Sequence, residues 1–390
     1  MPLSLNSVKS LEAAIDPNNK LTFLLDWELT MKCNLDCSYC DNGLYGGHLN
    51  SQPHPALAEC LNTIDFLFAY VDKHMSQRIS ALRHVVLNVY GGEALYHPQI
   101  VEILQAVQHK YQSYRNRWSL TVTSTTNAIV SDKQLRKILP LIDEFTVSYH
   151  SEASAKQKNQ FKKNCLTIQS SGVRVKCVVL MHAKSELFED SQNMIAWLEQ
   201  NKIKYLPRQL DRPKERDDLN YQGTQIKWFD NLYQQRSKLD GDKSVVDQQW
   251  FEQTTVDMSQ VGRACCGGRQ LCADQSYGQR HFYVKNQFPN WYCSVDKFFL
   301  YVKQVTGEVF VNKDCKMNYQ NQVGPIGYLS DTQSVLDQIG HTKTIQCRKS
   351  LCYCGLCAPK AQDFDTYKSI VKKYEISNTD LLQKSQWQSG

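Results

Sequence analysis

Apolar runs of strand length alternate along this chain with apolar residues at helical spacing. Leu21–Thr30 (LTFLLDWELT) predicts a first strand that runs straight into a group of cysteines. A helix follows from Pro55, with Leu57, Leu61, Ile64, Phe68 and Val71 on one stripe. Val85–Tyr90 predicts a second strand ending at Gly91-Gly92-Glu93, and Ile100, Leu104, Val107 and Tyr111 mark the next helix. Leu120–Thr125 is the third strand, after which Ser131 and Gln134 have the spacing of a capping box opening a short helix through Leu139. Phe145–Tyr149, Val173–Met181 and Ile203–Leu210 complete six strands with helices between them.

Strands alternating with helices imply an α/β fold with a parallel sheet and right-handed crossovers. Ligands of such sheets sit at the carboxyl ends of the strands. The first cysteines, Gly91-Gly92-Glu93 and Asn127 all fall just after strand ends. Beyond about residue 211 the alternation stops. A charged connection (DRPKERDDLNYQGTQ) leads to a helix over Ile226–Leu239, and from Arg263 the chain turns to loops, hairpins and cysteines. FFLYVK and EVFVN, joined around Thr306-Gly307, predict a hairpin. The organisation expected is an extension over 1–20, a core domain over 21–240, a cysteine-rich domain over 241–362 and a tail over 363–390.

Composition narrows the function classes. Hydrophobic residues make up 42% of the 390 and charged residues 22%, enough for a buried core. No run of ~18 apolar residues predicts a membrane span, and the N-terminus has no signal-peptide pattern, so a cytoplasmic protein is expected. The net charge of +6, from 45 basic and 39 acidic residues, does not by itself argue for nucleic acid, nor does it exclude it. Lys156, Lys158, Lys162 and Lys163 read as the solvated face of a helix.

The 15 cysteines change the picture. In a chain without a secretory signal, thiols in this number point to metal ligands or catalytic groups rather than to disulfides. Cys60, Cys165 and Cys177 lie in helical or strand patterns and read as buried packing groups. Cys33, Cys37 and Cys40 form C-x3-C-x2-C. Three thiolates on one loop suit a four-iron, four-sulfide cluster that keeps one iron open, whereas a fourth cysteine would close it. A structural zinc loop is the competing reading, with His48 as its candidate fourth ligand.

The Cys33–Cys37–Cys40 spacing, the aromatic Tyr39 before the last cysteine and Gly91-Gly92-Glu93 after the second strand resemble the radical S-adenosylmethionine (SAM) enzymes. The resemblance covers roughly residues 21–210. It implies a partial (β/α)6 barrel of the TIM type, a SAM-binding 4Fe-4S cluster on Cys33, Cys37 and Cys40, and SAM chelating the open iron. Reductive cleavage would release a 5′-deoxyadenosyl radical that abstracts a substrate hydrogen. Gly91 and Gly92 would let backbone approach the methionyl group, Glu93 would accept from its ammonium, and Tyr39 would lie near the adenine. Asn127 and Ser148 would make polar contacts to the carboxylate or ribose, and His150 is a candidate proton donor. The family often has Pro where Ala94 stands and Gly where Ala128 stands.

Nine further cysteines follow: Cys265, Cys266, Cys272, Cys293, Cys315, Cys347, Cys352, Cys354 and Cys357. With the hairpin between Cys293 and Cys315 they are similar to the SPASM and twitch extensions of that family, and imply one or two auxiliary clusters. Zinc on some of them is the alternative. Such extensions imply a peptide or protein substrate whose side chain is crosslinked, epimerised or oxidised, and an electron donor such as flavodoxin or ferredoxin. A nucleotide, RNA base or small metabolite is the alternative substrate, and a non-catalytic iron–sulfur or zinc scaffold the alternative class.

Overall fold

The strands of the first half are built on alternation. In β1 (Leu21–Thr30), Phe23, Leu25, Trp27 and Leu29 are buried while Leu24, Asp26 and Glu28 are half-buried. A computed structural model shows this arrangement and describes residues 21–40, 52–77, 82–210, 221–229, 231, 261–263, 290–313, 316–339, 344–348, 359–361, 363–365 and 367–368. After β1 come α1 (Leu57–Gln77), β2 (Leu82–Gly91), α2 (Ile100–Tyr111), β3 (Ser119–Thr126), α3 (Asp132–Ile138), β4 (Glu144–His150), α4 (Ala155–Ser170), β5 (Arg174–Met181), α5 (Ser185–Gln200) and β6 (Lys204–Gln209). All six expected strands are present, each parallel to the next in chain order.

Two expectations need correcting. Leu61 is 38% exposed, and the buried stripe of α1 runs instead through Cys60, Ile64, Leu67, Phe68 and Val71. This i, i+4, i+7 series is the one that faces the sheet. Ser131 caps α3 by accepting from the Gln134 backbone N–H, but the Gln134 side chain reaches across to the Leu95 carbonyl (2.6 Å) rather than back to the cap. The reciprocal box forms one helix later, where Ser154 and Gln157 open α4. Cys60, Cys165 and Cys177 are fully buried in the core.

The hairpin around Thr306-Gly307 forms as β9 (Phe299–Lys303) and β10 (Glu308–Phe310), following β7 (Val261–Arg263) and β8 (Tyr292–Cys293). It does not stand apart from the barrel strands. β9 lies parallel to β1 on the side opposite β2, so the sheet has nine strands with the short β11 (Gly327–Tyr328) at one edge and β6 at the other. The Leu24 N–H donates to the Phe298 carbonyl, the Gln304 N–H to the Glu28 carbonyl, and the buried Trp27 indole N–H to the Gln304 side chain (3.0 Å). The outer edge of this apolar strand thus finds its partners across some 277 residues of sequence, as burial demands. A second sheet has the order β12 (Ile345–Gln346), β8, β13 (Pro359–Ala361), β7. A 3-10 turn and α6 (Thr332–Asp337) follow β11. The helix expected over Ile226–Leu239 begins at 223, and the part beyond 231 lies outside the described residues. Among the described residues no helix is long and apolar enough to cross a membrane.

Candidate functional site

β1 ends at Thr30, and the loop after it carries Cys33, Cys37 and Cys40. The parallel ladder does not stop with the strands: Gly92 N–H donates to the Thr30 carbonyl (2.7 Å) and Glu93 N–H to the Lys32 carbonyl (2.8 Å). This close approach explains the two glycines. A Cβ on Gly91 would lie 2.1 Å from the Thr30 oxygen, at a φ of +151°, and one on Gly92 would lie 2.4 and 2.5 Å from the Met31 and Lys32 oxygens. The backbone these glycines admit is thus the cysteine loop itself.

Glu93 is buried at the same strand end. Its carboxylate accepts from the Leu95 N–H (3.0 Å), the Thr126 hydroxyl (2.7 Å) and the Asn127 N–H (2.5 Å), tying the end of β2 to the end of β3. Three donors occupy three of about four lone-pair sites, which leaves one for a further donor. Burial pushes the carboxyl up to about 7 against the pull of those donors. Asn127 in turn donates to Asn34 in the cysteine loop (2.6 Å) and points the same amide at Cys33 Sγ (3.8 Å), while Asn34 donates to the Ile129 carbonyl (2.7 Å). Ala128, which stands where the family often has Gly, takes φ +55°, the left-handed region that Gly favours.

The other flank of the loop is held by the ends of β4 and β5. Glu152 accepts from both the N–H (2.6 Å) and the hydroxyl (2.5 Å) of Ser38. His150, the last residue of β4, has Nδ1 3.3 Å from Cys37 Sγ and 2.8 Å from the Tyr39 hydroxyl, with the two rings parallel at 6.0 Å. His182, just past β5, packs its ring at a tilt against Tyr39 (5.8 Å) and lies 3.7 Å from Glu152. Burial holds the His150 imidazole neutral, pushed down to about 4, and drives the Tyr39 hydroxyl far upward. It also raises the Cys33 thiol to about 11 and the Cys37 thiol to about 12, with the neighbouring cysteines adding to both shifts. Thiols so placed stay protonated until a cation displaces the proton.

These donors fit a cluster better than a lone ion. Zinc draws its sulfurs to ~2.3 Å on a tight tetrahedron, and among the described residues no group of three His, Cys, Asp or Glu side chains is arranged to hold one metal ion. Cys33, Cys37 and Cys40 lie on one loop and are soft sulfur donors, of the kind that ligate separate irons of one polynuclear group. His48, the fourth ligand of the zinc reading, lies outside the described residues.

Of the other expected site residues, Ser148 is half-buried on the same face of β4 as Thr146 and His150. Cys293 in β8 pairs with Ile345, and Cys347 follows just past the end of β12, its N–H donating to the Trp291 carbonyl (2.9 Å), so these two buried cysteines are diagonal neighbours. Cys265, Cys266, Cys272, Cys315, Cys352, Cys354 and Cys357 lie outside the described residues.

The polar face of the sheet was missed at the level of sequence. Asn88 on β2 donates to Asp26 on β1 (2.9 Å) and accepts from Thr123 and Thr125 on β3 (3.4 and 3.3 Å). Tyr301 on β9 donates to Glu28 (2.7 Å), whose carboxyl burial pushes upward, and Lys176 pairs with Glu144 (2.8 Å). The available signal was Asp26 and Glu28, charged residues two apart inside an apolar strand.

The sequence matches no family model and no curated protein. Among solved structures, the chain is similar to native anSMEcpe with bound AdoMet and Cp18Cys peptide, at 11% identity and a TM-score of 0.51, over 90% of this chain and 96% of that one. It is similar also to a polyhistidine-tagged anSMEcpe with bound AdoMet, at 13% identity and a TM-score of 0.50, over 91% and 96%. At such identities the likeness is one of fold.

Proposed function

From the premise that this chain has the fold of SPASM-domain radical SAM enzymes, we propose that it is itself a radical SAM enzyme that modifies a peptide or protein side chain. The observation that carries the proposal is the cysteine loop, laddered to Gly92 and Glu93 at the mouth of a parallel sheet. Cys33, Cys37 and Cys40 would hold a 4Fe-4S cluster, which with bound SAM supplies a one-electron cleavage giving the 5′-deoxyadenosyl radical. The chain's own residues then bind and orient. Gly91 and Gly92 keep the loop flush with β2, and the remaining lone pair of Glu93 would accept from the ammonium of SAM. Tyr39 would lie near the adenine, and Asn127 and Ser148 would make the polar contacts to carboxylate or ribose. The half-buried polar face of Asp26, Asn88, Thr123 and Thr125 would orient the substrate.

A peptide substrate is favoured because anSMEcpe, the protein of like fold, is named with a bound peptide. The C-terminal cysteines, among them Cys293 and Cys347, would carry one or two auxiliary clusters in a SPASM-like domain over 241–362, and a flavodoxin or ferredoxin would deliver electrons. The test is anaerobic: the iron-loaded, dithionite-reduced protein is given SAM, and 5′-deoxyadenosine is measured. Formation of this product by the wild type, and its loss in Cys37→Ala, is expected. No product from a fully iron-loaded wild type overturns the proposal.

A further inference from the structure

The two flanks of the cysteine loop treat their sulfurs differently. Cys33 Sγ accepts from the Leu35 backbone N–H (3.4 Å) and faces the Asn127 amide (3.8 Å). At Cys37 the contact is instead with a side-chain nitrogen, His150 Nδ1, at 3.3 Å. We propose that His150 is a positioning residue that keeps a hydrogen-bond donor on the Cys37 sulfur and thereby raises the reduction potential of the cluster; this rests on the proposed function.

An iron-bound thiolate can only accept hydrogen bonds. A donor on that sulfur stabilises the additional negative charge of the reduced cluster more than it stabilises the oxidised one, and the effect is strong where water is excluded. His150 is built for this. It ends β4 in register with Leu180 of β5, so its backbone is held by a central ladder. Its ring lies parallel to Tyr39, within 1°, and its Nδ1 faces both the Cys37 sulfur and the Tyr39 hydroxyl. With the proton on Nδ1, two arrangements are open. His150 donates to Sγ directly, or it donates to the Tyr39 oxygen (2.8 Å) and Tyr39 turns its own proton to the sulfur. Both leave one donor on Cys37. With the proton on Nε2, Tyr39 would donate to Nδ1 and the sulfur would receive nothing from either. The tautomer therefore decides whether the pair acts on the cluster, in the way that outer hydrogen bonds fix the state of metal ligands.

The test is a redox titration, followed by electron paramagnetic resonance, of the iron–sulfur signal that changes on adding SAM. Wild type, His150→Leu and His150→Asn are compared with iron per chain measured on each. His150→Leu is expected to keep its iron and to shift the midpoint to more negative potential. His150→Asn, whose amide can place an N–H near the site of Nδ1, is expected to return most of that shift. An unchanged midpoint in His150→Leu at wild-type iron content overturns the proposal. If His150→Leu fails to load iron, His150→Asn decides: recovery of both iron and wild-type midpoint supports the donor role, and recovery of neither overturns it. A wild-type protein with no SAM-sensitive signal would instead overturn the functional reading on which the proposal stands.

Discussion

The cysteine loop is gripped from two sides, and the two grips are made of different material. Toward β2 and β3 the contact is backbone on backbone: the Thr30 and Lys32 carbonyls take the Gly92 and Glu93 N–H groups, with a buried carboxylate behind them. Toward β4 and β5 the contact is side chain on side chain, through Glu152, His150 and His182 around Ser38, Cys37 and Tyr39. Backbone ladders tolerate no added atom but do not depend on charge. Side-chain clamps accept small changes in shape but lose their hold when a donor or acceptor is removed. The first grip sets where the loop runs; the second sets the surroundings of its sulfurs.

Substitution at the ladder should be the most damaging change. Gly92→Ala puts a methyl group 2.4 to 2.5 Å from two carbonyl oxygens, so the loop must move. We expect a loss of about 3 kcal/mol or more in the apo protein, read by denaturant unfolding, together with loss of iron binding on reconstitution. Retention of both stability and iron would show that the ladder is not what holds the loop.

The carboxylate behind the ladder makes a pH signature. The folded-state value of Glu93 is raised, from 4.5 to about 7, so the protonated form is favoured in the fold. Its contribution is fully present below about pH 4.5 and is lost as pH rises through 7, by up to roughly 3 kcal/mol. His150, lowered to about 4 by burial, acts in the opposite sense: its contribution is present above pH 6.5 and is lost as pH falls toward 4. The difference between wild type and Glu93→Gln, measured from pH 4.5 to 8, therefore isolates the carboxyl. A parallel pair of pH curves would sink this assignment.

At the clamp, Glu152→Gln removes the charge from an acceptor of two Ser38 hydrogen bonds, and should cost about 1–2 kcal/mol. Iron should still bind, but dissociate faster under a chelator. If the chelation rate matches wild type, the β4–β5 side does not secure the loop.

The smallest effect is expected at Ala128. Its φ of +55° costs a residue with a Cβ about 1 kcal/mol, most of which Ala128→Gly recovers and part of which returns as unfolded-chain entropy. A net gain of roughly 0.5 kcal/mol should appear in thermal melts; a clear loss would mean that the buried methyl outweighs the strain.

The same contrast explains what could be read from the sequence. The ladder side was legible because steric need leaves a trace: two adjacent glycines at a strand end have few other uses. The strands were legible too, since each must bury one face. The clamp was not, because Glu152 and His182 are ordinary polar residues whose meaning depends on β4 and β5 ending beside Tyr39. Tyr39 and His150 were each singled out, but not as partners, since only the end of β4 beside the cysteine loop brings them together. The Gln134 side chain carried the signal of a capping box and went elsewhere, drawn by the Leu95 carbonyl, a competitor that only tertiary structure supplies. The place of β9 was hidden for the same reason. A hairpin is a local pattern, but its neighbour β1 lies some 277 residues away.

That last pairing has a consequence during synthesis. Until residues 299–303 have been made, β1 is an edge strand, with the apolar sequence LTFLLDWELT open to any other strand in reach. At ~5–20 residues per second the wait is on the order of tens of seconds. A ribosome-bound chain of this protein thus depends, for that interval, on chaperones or on dilution to escape association with its siblings. Truncations that end before β9 would make the exposure permanent, and should collect in inclusion bodies where the full chain does not.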